Sequence, residues 1–230
     1  GTLSSKFGDV AVELQDALLN SGAGALVAEG NLTVKAGSLD NSNKGILSSG
    51  AGQSLTLNGA LNNSQGGLIA SDGALDLLSM ALTNVDGAIN AQQAINATVS
   101  RLDNSGGQIA SNDAITLNLS GDLDNNGGRL AGAGPVQIKG VTDLSNQNGQ
   151  LASQKNLELS TGSLDNSNKG TIAANDLLQI TASGAVRNNA DGLIYSQNAA
   201  LQLKAASLNN GKGALQSANA LTLDVSGNLD

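Results

Sequence analysis

One stretch recurs along the whole chain. Its clearest copy is Leu102-Asp103-Asn104-Ser105-Gly106-Gly107-Gln108-Ile109-Ala110-Ser111. An apolar residue is followed two places later by Asn, then by a Gly-containing turn, then by a short aliphatic run. The opening residue returns at Leu18, Leu39, Leu61, Leu82, Leu102, Leu123, Leu144, Leu164, Val186, Leu208 and Leu229. Successive copies are separated by 20 to 22 residues. Self-similarity at that period predicts a solenoid before any local propensity is consulted.

The second half of each unit decides between helix and strand. It reads Leu32-Thr33-Val34, Leu55-Thr56-Leu57, Ile115-Thr116-Leu117 and Leu157-Glu158-Leu159 in successive regions, and these segments are read as equivalent. Apolar and polar residues alternate, as in half-buried strands. The run after the turn glycine alternates too, with Leu47, Ile69, Ile109 and Ile172 inward and Gln108 outward. Neither half has helical spacing, which disfavours a leucine-rich-repeat horseshoe. The prediction is all-β: about ten coils of about 21 residues, with three short strands per coil and bends at Gly, Asn and Ser. Ile95 to Val99 departs from the usual spacing, which predicts a bulge there. Pro135 precedes Val136, where a strand begins, so its missing N–H is tolerated.

The Asn of the motif occupies the same register in every full unit: Asn20, Asn41, Asn63, Asn84, Asn104, Asn125, Asn146, Asn166, Asn188 and Asn210. In a stack these side chains form one column. Each amide then donates to the next and also bonds the turn backbone, so a structural Asn ladder is predicted.

Nothing resembles a linker, and residues 1–230 read as one continuous solenoid. Leu3, Val10 and Val12 are already in phase with Leu26, Leu32 and Val34. The sequence closes as a further unit opens at Leu229, and neither end carries a polar cap. The reading is therefore a segment excised from a much longer rod.

Function classes narrow by composition. There is no Cys and no His, so neither thiolate or imidazole metal sites nor a Ser-His-Asp triad is available. The net charge is −8 and the pI near 4.3, with 11 scattered basic residues, which argues against a nucleic-acid partner. No apolar run is long enough to span a membrane, so no membrane insertion of this segment is predicted. Asp40, Asp103, Asp124 and Asp165 recur beside the ladder and are read as turn acids rather than a calcium column, because other coils place Leu19, Thr83 or Arg187 there. No catalytic residue, cofactor or metal is predicted. Ile46 and Leu68 on adjacent coils, and Leu193 with Tyr195, are the candidate partner contacts on the outer surface.

The repeated Leu-Asp-Asn-Ser-Gly-Gly-Gln-Ile-Ala-Ser pattern, followed by alternating Leu-Thr-Leu, resembles the haemagglutinin repeats of filamentous haemagglutinin. It is similar also to those of contact-dependent growth inhibition toxins. Both are large bacterial exoproteins of two-partner secretion. The resemblance implies a right-handed parallel β-helix, an outer-membrane two-partner-secretion transporter as partner, and a secreted or cell-surface rod. It leaves three functions open: a structural stalk carrying a distal adhesive or toxin-delivery region, a direct adhesin whose face binds a host-cell or target-bacterium receptor or a glycan, and a polysaccharide-active enzyme.

Overall fold

A computed structural model describes residues 1–230 and contains 28 strands and no helix. Every pairing is parallel, and each strand of an inner coil pairs with its equivalents one coil before and one coil after. The fold is a β-solenoid.

The first facet is a sheet of 11 strands of four residues, from Thr2–Ser5 through Ile46–Ser49 to Ala214–Ser217. The stack therefore has eleven coils, because Thr2–Ser5 belongs to a coil that opens ahead of Leu18. The second facet begins with Val10–Glu13, Leu32–Ala36 and Gln53–Leu57, and the third with Ala17–Leu19, Ser38–Asp40 and Ala60–Asn62.

Three facets per coil hold throughout, but three separate strands do not. Leu75–Thr83, Ile95–Asp103, Val136–Ser145 and Leu157–Asp165 each run round the second corner as one bent strand. The strand breaks instead at corners such as Gly37, Asn58-Gly59, Ser120-Gly121 and Ser183-Gly184. Met80 and Ser100 occupy the unbroken corners of the first two fused strands. Gly162 holds the equivalent place in Leu157–Asp165 without breaking it, so glycine at this corner does not by itself end the strand.

The interior is a set of aliphatic columns parallel to the axis. Forty-five buried residues form one continuous core. Leu47, Ile69, Ile89, Ile109, Leu130, Leu151, Ile172 and Ile194 run down the middle of the first facet, each in register with the next. Leu215 continues that column in the last coil and is only partly buried there. Leu3, Val10 and Val12 pair with Leu26, Leu32 and Val34.

Two local expectations are corrected. Ile95–Val99 pairs in one even register on both sides, with Ile95, Ala97 and Val99 all inward, so there is no bulge in that span. The unusual spacing is an Ala in an aliphatic column. The register shift lies between Ile138 and Val141, where Gly140 takes a φ of 74°.

The second correction concerns the third coil. Leu32 is in register with Gln53, not with Leu55, and Leu55 lies opposite Val34. Thr56 therefore stands beside Lys35 and Leu78, and Ser54 takes the outward place beside Thr33.

Candidate functional site

The most ordered polar feature of the molecule is the Asn column at the corner between the third and first facets. Asn20 Nδ2 donates to Asn41 Oδ1 at 2.7 Å, Asn41 to Asn63 at 2.7 Å, and the chain of bonds continues coil by coil to Asn84, Asn104, Asn125, Asn146, Asn166, Asn188 and Asn210. All ten side chains point inward, and all but Asn210 are buried. The second N–H of each amide serves the backbone. In Asn41 it lies 3.2 Å from the carbonyl of Gly45 in its own turn and 3.1 Å from that of Leu68 in the next coil. Donors and acceptor are thus all used, which makes a buried amide tolerable.

The turn after each Asn comes in two lengths. The longer form has two consecutive residues at positive φ, such as Asn43 at 52° and Lys44 at 65°. The shorter form has one, such as Asp86 at 53° or Gly106 at 63°. The glycine that closes the turn has another reason to be glycine. A Cβ on Gly67 would stand 2.5 Å from the Asn41 carbonyl oxygen of the preceding coil and 2.7 Å from Asn63 Oδ1. The same contacts, to equivalent atoms, would meet a Cβ on Gly107, Gly128 or Gly149. The constraint is the close approach of backbone and ladder, not chain reversal.

The recurrent acids cap these turns. The Ser42 N–H donates to Asp40 Oδ1 at 3.1 Å, Ser105 N–H to Asp103 at 3.1 Å, Asn126 N–H to Asp124 at 2.9 Å and Ser167 N–H to Asp165 at 3.0 Å. Asn62 does the same for Ser64 in a coil without the acid. These are Asx turns. Hydrogen bonding by Ser42, led by its hydroxyl, holds the Asp40 carboxyl below the usual carboxylate range. No group of three or more His, Cys, Asp or Glu side chains is placed to hold a metal ion.

A second polar column went unread in the sequence. Ser49, Ser71, Ser111, Ser153 and Ser196 are buried at the end of the first facet. Their hydroxyls bond corner carbonyls: Ser71 Oγ donates to Ala51 O at 2.9 Å, and Ser153 Oγ to Gly134 O at 2.9 Å. Alternation of Ser with Ala28, Ala91, Gly132 and Ala174 at this position hid the column.

The outer faces carry the remaining candidates. Ile46 and Leu68 are register neighbours on the first facet, with Ile46 exposed and Leu68 half-buried. Leu193 and Tyr195 lie on the same facet and are half-buried. The two pairs do not meet. Ala88, Gln108, Arg129, Gln150 and Thr171 lie between Leu68 and Leu193. What lies near Tyr195 instead is a groove of about 270 Å³ along the axis. Its floor includes Ala110, Ala131, Ala152 and Ala173, and its sides carry Arg129 and Gln150 opposite Asn112, Gln154 and Asn175. Arg129 Nε donates to Gln150 Oε1 at 3.1 Å. Arg129 is the one charged side chain in its lining, in a chain of net charge −8. The sequence also missed the most exposed apolar pair of the second facet and its corner, Leu78 and Met80. No helix long and apolar enough to cross a membrane is present.

The comparisons agree with this architecture. A family model described as Haemagglutinin repeat matches residues 8–86, 79–127, 129–190 and 192–230. No curated protein and no solved structure matches the chain. Proteins of this family are filamentous-haemagglutinin-like exoproteins of two-partner secretion, secreted or displayed at the cell surface with the help of an outer-membrane transporter, and their β-solenoid repeats are typically non-enzymatic. With its repeat matched from end to end and its coils stacked in one register, the chain belongs to the haemagglutinin repeat family.

Proposed function

We propose that this chain is a non-enzymatic structural stalk of a large secreted bacterial surface exoprotein, holding a distal adhesive or toxin-delivery region away from the cell. The observation that carries the reading is the unbroken stack. The Asn column bonds every coil to the next from Asn20 to Asn210, and the first facet pairs without a gap over 11 strands. A rod so built transmits position and bears load along its axis, since each coil is fixed only by its neighbours. In the full-length exoprotein, deletion of the two coils from Leu102 to Asp143 shortens the reach by about 10 Å and leaves the distal activity in place. Loss of that activity with the outer-membrane export and surface level unchanged would overturn the stalk.

A second reading has its own observation. The groove beside Tyr195 offers amide and guanidinium donors over a flat alanine floor, which suits the hydroxyls and C–H faces of a glycan lying along the axis. On this reading the rod itself is a direct adhesin. Isolated chain applied to a glycan array decides: retention that Arg129→Ala and Tyr195→Ala abolish supports the adhesin, and no retention removes it.

A further inference from the structure

One column of the core contains a single polar residue. At the head of the second facet the inward residues run Leu32, Gln53, Leu75, Ile95 and Ile115 in register. Gln53 is 2% exposed, and neither its Nε2 nor its Oε1 has a hydrogen-bond partner. Its register neighbours Leu32 and Leu75 are wholly buried and offer it only hydrocarbon. An amide held this way has lost its water without gaining a partner.

The rest of the same coil is sound. The ladder passes through it from Asn41 to Asn63 to Asn84 at 2.7 Å per bond, and Leu61 is buried between Leu39 and Leu82. The defect is confined to the second facet. It follows the corner Gly50-Ala51-Gly52, where two glycines raise the entropy lost on ordering. In a solenoid each coil contacts only its neighbours, so such a penalty stays at the two interfaces of the coil that carries it.

We infer that Gln53 is a built-in seam: the solenoid opens at this coil in a sub-global step, dividing an otherwise continuous stack into two cooperative bodies. Opening releases the Gln53 amide to water and leaves the coils from Leu75 onward folded. The device gives this stack a defined place to yield in its second facet, instead of melting from wherever force or heat is applied.

Native-state hydrogen exchange on residues 1–230 tests the seam. The third coil from one end, Ile46–Leu57, is compared with the third from the other, Thr171–Ala182, so that fraying is matched. Second-facet amides of Ile46–Leu57 exchange about fivefold or more faster than those of the matched coil, the low end of what an unpaired buried amide costs. Gln53→Leu removes that difference by slowing the Ile46–Leu57 coil alone. Leu178→Gln, which places the same group in the matched coil, creates a second fast region there. Equal protection of the two coils in the unaltered chain overturns the seam. So does a Gln53→Leu chain in which both coils slow together, because that marks a global and not a local effect.

Discussion

Asn104 Nδ2 donates to Asn125 Oδ1 across two coils at 2.7 Å, while the Asn104 carbonyl oxygen crowds the α-carbon of Gly128, where a Cβ would overlap it. One residue thus sets both the inter-coil bond and the need for glycine 24 positions later. The two constraints are one packing arrangement, repeated at every coil.

The ladder bond predicts an asymmetric cost. Asn104→Ala leaves the Asn84 donor and the Asn125 acceptor buried without partners, and lowers stability by about 1–3 kcal/mol. Gln108→Ala, whose side chain faces water, shifts it by less than about 0.5 kcal/mol. Urea denaturation of the two variants measures both. Equal losses would place the ladder on the wrong face.

Adjacent glycines should respond differently. Gly127 has a φ of 64°, but a Cβ there meets nothing nearer than 4.0 Å. Gly127→Ala therefore costs only the left-handed conformation, about 1–2 kcal/mol. Gly128 faces backbone that has no room to move, and Gly128→Ala costs about 3 kcal/mol or more. Thermal melts of the pair rank them. A smaller loss at Gly128 would remove the close-approach argument.

Acid should act on the Asp40 turn with a definite sign. The folded carboxyl titrates below its ordinary value of 3.8, so its contribution is present above that pH and is lost as pH falls through the folded value. Asp40→Asn keeps an acceptor for the Ser42 N–H, as Asn62 does for Ser64, and removes the titration. Its stability difference from the parent chain shrinks on acidification below pH 3.8 and is constant from pH 5 to 7. A difference that grows on acidification would reverse the assigned sign.

Shape is the coarsest prediction. Eleven parallel strands about 4.8 Å apart give a rod core of roughly 48 Å. Small-angle scattering of residues 1–230 should show a rod cross-section regime; a compact spherical profile would refute the stack.

The period, the strand character and the Asn register were all legible in residues 1–230. Each rests on a chemical feature that recurs at a fixed offset, so every coil reinforces the same reading. The Asn column is the clearest case, since the amide needs a like amide one coil away and its position tolerates no drift. Gln53 shows where legibility ends. Gln53-Ser54-Leu55-Thr56-Leu57 keeps Gln53 and Leu55 on one face, and matching the strand by its apolar residues alone passes over Gln53, although Gln53 follows Asn41 at the distance at which Leu32 follows Asn20. Pairing with Leu32 on one side and Leu75 on the other chooses Gln53, and so buries an amide that a local reading places elsewhere. The groove has the same origin. Ala131 and Ala173 face outward yet are only 9% and 7% exposed, because side chains from neighbouring rows and coils overhang them. A repeated sequence determines what each coil is made of. Which residues of separate coils shade, crowd or strand one another is decided only when the coils are stacked, because those distances run along an axis the chain itself does not follow.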